Sequence, residues 1–155
     1  MIALSDEREV YVWGRRMGIY SNIELNLEAL QQQQMMINKQ ECNQPAPRQM
    51  KNNLIFHKVN RIFANNFNTA IITEEGELLL QGYNDYGQIV LPPGLHNAKE
   101  ISEVLLFFPE FMKVDQLENY LVKDVCLGSC CVYAICEHKK TKDTRVFGWG
   151  STQFG

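Results

Sequence analysis

The densest group of residues that could do chemistry is a cysteine cluster in the last quarter of the chain. Its members, with one nearby histidine, are Cys126, Cys130, Cys131, Cys136 and His138. Cys126 and Cys130 have the spacing that zinc sites use when cysteine pairs lie on turns. Cys130 and Cys136, however, fall in or beside segments with strand character, and alternate residues of a strand face opposite ways. The sequence therefore favours cysteines buried among apolar side chains over a metal site.

The other residues that could catalyse a reaction form no recognisable pattern. His57, His96 and His138 have no serine or cysteine partner in a nucleophile elbow. Asp85 and Glu110 are isolated carboxylates in turn or loop contexts, where solvated side chains are the ordinary case. The glycines do not form a phosphate-binding loop. We therefore expect that the protein is not an enzyme and has no catalytic, metal-binding or cofactor-binding residues.

Four aromatic residues could in principle stack on nucleic-acid bases: Tyr11, Trp13, Phe147 and Trp149. Such platforms are normally set in a basic groove. Here the net charge is −3 and the Lys and Arg residues are spread thinly along the chain. We therefore expect neither nucleic acid nor an anionic membrane as a partner, and we expect the aromatic rings to pack inside the fold.

The bulk properties are those of an ordinary globular protein. The chain has 155 residues, of which 45% are hydrophobic, and no run is long enough for a membrane span. The first residues turn charged too early for a secretory signal. The five cysteines are an odd number, which favours a reducing compartment over a disulfide framework. We expect an intracellular protein, cytoplasmic or associated with the cytoskeleton or cilium, with the nucleus as an alternative.

The elements that would position these side chains belong to a sequence repeat. Gly14, Gly82 and Gly150 end similar apolar segments and stand 68 residues apart. A second landmark, Val59-x-x-Ile62, returns 63 residues later as Val122-x-x-Val125. Each unit consists of short apolar runs bounded by Gly, Asn and Asp, which predicts strands joined by turns. Repeated multi-stranded units that cannot bury their faces alone predict a β-propeller.

The three units resemble the repeats of the regulator of chromosome condensation family. These repeats read approximately as Val-x-x-Val, a glycine, a histidine step, Ala-Leu-Thr, an Asp-Gly turn, Val-Tyr-x-Trp-Gly, Asn and Gly-Gln-Leu-Gly. The residues that match this pattern are Trp13, Gly14, Gly76, Gly82, Asn84, Gly87, Gln88, Gly128, Trp149, Gly150 and Gly155. The second unit departs from it, because Asn65 replaces the early glycine and Gln81 replaces the tryptophan. The usual histidine is Asn68 in one unit and Cys131 in the other.

The resemblance implies an all-β propeller in which strands of neighbouring repeats share a blade, usually with seven blades to the ring. Residues 1–155 hold about two repeat lengths and the tail of an earlier unit. We therefore expect a partial propeller of two to three blades. Its missing blades would come from a longer gene product or from other chains, and the isolated chain should not be a stable monomer.

The function that we expect from this resemblance is that of a non-catalytic protein-interaction scaffold, part of a larger assembly, whose protein partners supply or cover the missing blades. The alternative is guanine-nucleotide exchange on a Ran-type small GTPase, which is the activity of the founding member of the family. Exchange needs contact with the GTPase but no catalytic triad, so the residues do not discriminate between the two.

Two segments exceed the usual length of such repeats and read as insertions. Residues 23–57 contain the Gln31 to Gln34 run, Pro45 and Pro47, which predicts a loop that is helical in part and either mobile or on the surface. In residues 90–121 the apolar positions Val114, Leu117 and Leu121 recur at helical spacing, which predicts a short helix or an outer strand.

Overall fold

The computed structural model describes residues 1–15, 43–50, 57–90 and 107–151. Within these ranges the chain forms ten strands in three antiparallel sheets and a single 3-10 turn at Asp115–Leu117. Each sheet is one blade. No helix of the described ranges is long and apolar enough to cross a membrane.

The strands follow one another from blade to blade. The first blade contains β1 (Ile2–Leu4), β2 (Val10–Arg15) and β3 (Asn43–Gln49) in that order. The second contains β4 (Val59–Ala64), β5 (Asn68–Thr73), β6 (Leu78–Tyr83) and β7 (Phe107–Lys113). The third contains β8 (Tyr120–Leu127), β9 (Cys131–His138) and β10 (Thr144–Gly150), with β10 at the edge of its sheet.

Residues at the same position of the sequence repeat occupy the same place in the strands of the second and third blades. Gly82 of β6 pairs with Asn68 of β5 in the same way that Gly150 of β10 pairs with Cys131 of β9. Both glycines have positive φ, +121° and +108°. A Cβ atom on either would collide with a backbone carbonyl oxygen, that of Phe67 or of Cys130, so no other residue fits these two positions.

The second blade packs between the other two and forms a core on each side. Its side chains Ile71, Leu79 and Phe111 meet Val10 and Val12 of the first blade. On the opposite side the second and third blades form the larger core, whose buried residues are Ala70, Ile72, Leu78, Leu80, Ile89, Phe108, Val114, Leu117, Val122, Val125, Val132, Ala134 and Cys136. Because the second blade is covered on both sides, strands β5 and β6 are apolar on both faces. They lack the polar-apolar alternation of a half-exposed sheet.

The hairpin turns of the three blades share one backbone feature, although the turn of the third blade is longer. Each has one residue in the left-handed region: Arg8 at φ +66°, Gly76 at φ +78° and Lys142 at φ +65°. Glycine suits the turn of the second blade, because a Cβ atom on Gly76 would make a tight contact of 3.0 Å with a side-chain carbon of Leu121 in the third blade. The carbonyl group of Gly76 also joins the second blade to the third, since Val122 N donates a hydrogen bond to Gly76 O at 2.8 Å.

The structure differs from expectation within the first insertion. Residues 43–49 do not form a loop but the strand β3, which pairs with β2. The register shifts between Val12 and Gly14, so the strand is irregular there, and Ala46 and Pro47 are exposed. Proline is tolerated at such edge and bulge positions because no ladder hydrogen bond is required of it. The Gln31 to Gln34 run lies outside the described residues.

The part of the second insertion that the structure describes holds an outer strand and a turn. Strand β7 pairs with β6 and completes the second blade. Val114 and Leu117 then anchor the 3-10 turn in the larger core and lead into β8. The spacing that indicated a helix therefore belongs to this one turn and to the strand after it.

Candidate docking face of the third blade

The exposed apolar residues of the third blade lie on one side of its sheet. Along β9, residues buried against the second blade, such as Ala134, alternate with Tyr133 and Ile135, which point the other way. Val146 of β10 pairs with Ile135 and therefore shares its side of the sheet. Tyr133 is 50% exposed, Ile135 43% and Val146 67%. We call these three residues the outer face.

The second blade shows what such a face looks like when it is covered. The counterparts of Tyr133, Ile135 and Val146 in the second blade are Ala70, Ile72 and Leu78, respectively. These counterparts are at most 2% exposed because the third blade packs on them. The outer face is thus the same surface one blade further along, without a described neighbour over it. Clustered exposed apolar side chains of this kind mark interaction sites.

The tyrosine of the outer face is held against the neighbouring strand. Gly148 pairs with Tyr133, and a Cβ atom on Gly148 would lie 2.8 Å from two carbons of the tyrosine ring. Only glycine lets the ring approach β10 this closely. The Tyr133 ring therefore lies against β10 as a half-exposed aromatic surface, and a tyrosine side chain loses little conformational entropy on binding.

At both described blade junctions an arginine donates a hydrogen bond to the same backbone position of the next blade, although the two arginines occupy different places in their own blades. Arg8 of the first blade donates to the carbonyl oxygen of Asn60 at 3.1 Å, and Arg61 of the second donates to that of Lys123 at 2.8 Å. Asn60 and Lys123 are 63 residues apart and occupy the same place in their blades. Arg61 also forms an ion pair with Asp124 at 3.1 Å.

Lys142, like Arg8, is a cation at the left-handed position of its hairpin turn. The turn of the third blade is longer, however, and the repeat distance of 68 residues aligns Arg8 with Gly76 and Thr144. Lys142 Nζ lies 3.4 Å from a Glu137 carboxylate oxygen, and Lys123 lies 3.4 Å from the other oxygen. The hydrogen bond from Lys142, helped by the charge of Lys123, lowers the pKa of Glu137. The rim of the outer face is therefore charged at neutral pH, while its centre is apolar.

The tryptophan of the third unit joins two blades. Trp149 packs against the larger core, and its Nε1 donates to the backbone oxygen of Gln88 at 2.7 Å. The Gln88 side chain is buried and accepts a hydrogen bond from Tyr86 N, while Asn84 accepts one from Ile89 N. These bonds fix the loop after β6, in which Gly87 has φ +75°. The loop in turn presents the carbonyl oxygen to Trp149.

Asn65, which departs from the repeat pattern, has a structural role at the same junction. Asn65 and Gly128 open equivalent turns: Asn65 N donates to Asn68 O, and Gly128 N donates to Cys131 O. The Asn65 side chain accepts hydrogen bonds from Phe67 N and Asn68 N and donates to Gly128 O at 2.7 Å. The second blade is thereby tied to the third by an amide that the usual glycine would lack.

The remaining residues of the repeat signature lie in the first blade or outside the residues that the structure describes. Trp13 and Gly14 lie in β2, and Trp13 N donates to Met1 O at 3.1 Å. Gly155 lies outside the described residues. None of the signature residues belongs to the outer face.

The cysteines are more exposed than we expected. Of the four cysteines that the structure describes, Cys136 alone is buried, whereas Cys126 is exposed and Cys130 and Cys131 are intermediate. Cys126 pairs with Tyr133 on the outer side of the sheet, and Cys136 points into the core, where burial raises the pKa of its thiol to about 11. Within the described ranges no three His, Cys, Asp or Glu side chains are grouped as a metal site requires.

Other titratable residues take part in local contacts. His138 accepts a hydrogen bond from Thr141 N in the last hairpin turn, and His57 lies 3.8 Å from Glu77. Asp85 is exposed in the loop after β6. His96 lies outside the described residues. The feature of the described chain that is best built to bind something is therefore the outer face.

The fold is similar to that of several solved structures, among them the following three. The crystal structure of human WBSCR16 matches with a TM-score of 0.63 at 13% identity, over 96% of this chain and 30% of that one. Saccharomyces cerevisiae Prp20p, studied with its binding properties to Gsp1p and histones, gives 0.59 at 15%, over 96% and 30%. The structure of Kap60 bound to yeast RCC1 (Prp20) gives 0.59 at 16%, over 96% and 29%.

The chain has the propeller fold of RCC1-like proteins. At these identities the similarity shows the fold alone, and the prediction of an all-β partial propeller is confirmed. The chain spans about 30% of the length of each similar structure. No protein-family model matches the sequence, and no curated protein matches it.

The residues of the outer face and Lys142 were missed by sequence reasoning, although a signal for Ile135 and Val146 was present. The two repeat distances, 63 residues for the first strands of a unit and 68 for the last, align Ile72 with Ile135 and Leu78 with Val146. Apolar residues at the same repeat positions indicate the same inter-blade surface. What the sequence alone did not show is which of these surfaces is covered.

Proposed function

We propose that this protein is a non-catalytic interaction scaffold built from propeller repeats, and that the outer face of the third blade binds a further blade of the same kind. The observation that carries the proposal is the contrast in burial between Ile135 and Val146, at 43% and 67% exposed, and their covered counterparts Ile72 and Leu78, at 2% and 1%. Burial of apolar area drives most protein association, and none of the residues that the structure describes covers this area.

The third blade itself illustrates the chemistry of the expected partner. On the side that packs against the second blade it presents a row of apolar residues, among them Val122, Val125 and Ala134. A partner with the same row would cover the outer face as the third blade covers the second. Lys142, on the last hairpin turn, adds a cation at the rim of the outer face. In the similar structures the aligned part is about 30% of a longer chain, which is consistent with this role.

A photo-crosslinking experiment in the cells that make the protein tests this proposal. The reactive amino acid p-benzoylphenylalanine would replace Tyr133 on the outer face, and in a matched control it would replace Tyr86, which is equally exposed at 50% but lies in the loop after β6. We expect adducts at position 133 that map to a propeller-repeat segment. Adducts at position 86 alone, or at neither position, would contradict the proposal.

Exchange activity on a Ran-type GTPase is the second candidate, favoured by the fold similarity to Prp20p, which was studied with Gsp1p. Its expected readout is faster release of labelled nucleotide from the GTPase when the chain is added within its native assembly. Unchanged release, together with adducts at position 133, would leave the scaffold function alone.

A further inference from the structure

A small cleft opens between the second and third blades, beside the hairpin turn of the second. Its volume is about 160 Å³, and its walls include Gly76 of the turn and Val122 of β8. These two residues also hold the walls together, because Val122 N donates to Gly76 O at 2.8 Å. About 10–15 Å³ of accessible space holds one water molecule, so the cleft has room for a group of several non-hydrogen atoms.

The turn of the first blade shows which group occupies the equivalent place there. Arg8 N donates to Ser5 O at 3.0 Å. The corresponding bond of the second blade joins Gly76 N to Thr73 O, also at 3.0 Å. The side chain of Arg8 crosses to the next blade and donates to Asn60 O at 3.1 Å. Gly76 has no side chain, and the cleft lies at its position.

The rim of the cleft is acidic and its wall is apolar. Glu74 and Glu75 line it, are exposed, and form no ion pair within the described part of the chain. Lys123 also lines the cleft, but its ammonium group lies 3.4 Å from a Glu137 carboxylate oxygen. Behind this rim lies Ile72, which is 2% exposed. Two carboxylates over an apolar wall suit a long cationic side chain, whose methylene groups pack on apolar atoms while its charged end remains at the rim.

A second arginine at this junction leaves the cleft open. Arg61 donates to Lys123 O at 2.8 Å and forms an ion pair with Asp124 at 3.1 Å. It belongs to β4 and does not line the cleft. Arg61 therefore makes the carbonyl contact that Arg8 makes at the first junction, without filling the space beside Gly76.

From these observations we infer that the cleft binds an arginine side chain of a protein partner. The partner supplies the guanidinium group that Arg8 supplies from within the chain at the first junction. A guanidinium group is planar, always charged and carries five N–H donors, so it can pair with Glu74 and Glu75 together. None of the residues of the outer face lines the cleft, so this site adds a second contact and does not depend on that face.

Amide hydrogen exchange of the full chain at submicromolar concentration tests the site. The probe is the blocked tripeptide Gly-Arg-Gly, and its matched control is Gly-citrulline-Gly at the same ionic strength, in which a neutral group of the same shape replaces the guanidinium. Ion pairs at an open surface are weak, so we expect a dissociation constant of about 1 mM. At a probe concentration of about 10 mM the Val122 amide should exchange about tenfold more slowly, because the bond to Gly76 O opens only when the peptide has left. The citrulline peptide should not slow this exchange.

Charge-neutral substitutions in two turns show whether the acidic rim is the site. The variant with Glu74→Gln and Glu75→Gln should lose the slowing at Val122. The matched control carries Asp6→Asn and Glu7→Gln, at the same positions of the first turn, and should keep it. Slowing that persists in the Glu74 and Glu75 variant, slowing that is equal with the citrulline peptide, or no slowing in the wild-type chain would overturn the site.

Gly76→Arg places the guanidinium within the chain and should prevent the peptide from binding. The turn accepts a side chain at this position, since Arg8 has φ +66° in the first blade, and the nearest atom to the new Cβ is the end of the Leu121 side chain. The glutamine variant decides the question whether or not Gly76→Arg folds. Free L-arginine, whose carboxylate is repelled by the same rim, should slow exchange less than the blocked peptide. A stronger effect of free arginine would overturn the assignment to a protein partner.

Discussion

Removing the tryptophan that joins the second and third blades should destabilise the chain in a graded way. Trp149→Phe keeps most of the ring packing but removes the 2.7 Å hydrogen bond to Gln88 O. Gln88 is 2% exposed, so its oxygen would lose its partner in a poorly hydrated place. Such a loss costs about 1–3 kcal/mol. Trp149→Ala also removes the ring from the larger core and should cost about 3–5 kcal/mol.

Urea unfolding at submicromolar concentration, followed by circular dichroism, measures both effects. In a chain of this size each 1 kcal/mol lowers the melting temperature by about 2–4 °C, so thermal melts provide a second readout. Tyr133→Phe is the matched control, because it alters an aromatic residue on the exposed side of the same sheet and should change stability little. If Trp149→Phe unfolds with the wild-type midpoint, the hydrogen bond does not stabilise the junction. If both tryptophan variants are equally unstable, the ring packing does not contribute, and either result would refute the predicted grading.

Three further predictions concern single residues. Asn65→Gly restores the usual repeat residue but removes the side-chain hydrogen bond to Gly128 O, and it should lower the free energy of unfolding by about 1–2 kcal/mol. A variant more stable than wild type would contradict the role of Asn65 in joining the two blades. Gly82→Ala places a Cβ atom against Phe67 O at positive φ and should cost more than about 2 kcal/mol by the same assay, whereas an unchanged midpoint would mean that the backbone relaxes freely. The Cys136 thiol, with its pKa raised to about 11, should resist alkylation at pH 8 in the folded chain while exposed Cys126 reacts, as mass spectrometry would show; equal labelling of the two would refute the burial.

The repeat distances were enough to predict the blades, since equally spaced glycines indicate the same backbone geometry at each glycine. Gly82 and Gly150 have the positive φ and the close carbonyl contact that make this requirement physical. The strand β3 could not be read in the same way. Its two prolines argue for a loop when the residues are considered locally, and only pairing with β2 at an irregular edge makes the strand favourable.

The docking face could be predicted only in part, because exposure is a property of the assembled blades. Ile72 and Ile135 are the same residue type at the same repeat position, yet the first is 2% exposed and the second 43%. No local pattern distinguishes them; the difference lies in whether a neighbouring blade is present. The role of Asn65 is hidden for a related reason, because its side chain bonds to a residue 63 positions away.

Sedimentation velocity of the purified 155-residue chain tests most directly whether the outer face is a docking surface. We predict concentration-dependent association of the wild-type chain at micromolar concentrations, because an apolar face beside an open strand edge is left uncovered. The double variant Ile135→Lys and Val146→Lys should sediment as a monomer with the circular dichroism spectrum of the wild type, whereas Lys140→Glu, on the last hairpin turn, should still associate. A wild-type chain that remains a stable monomer at these concentrations would contradict the account.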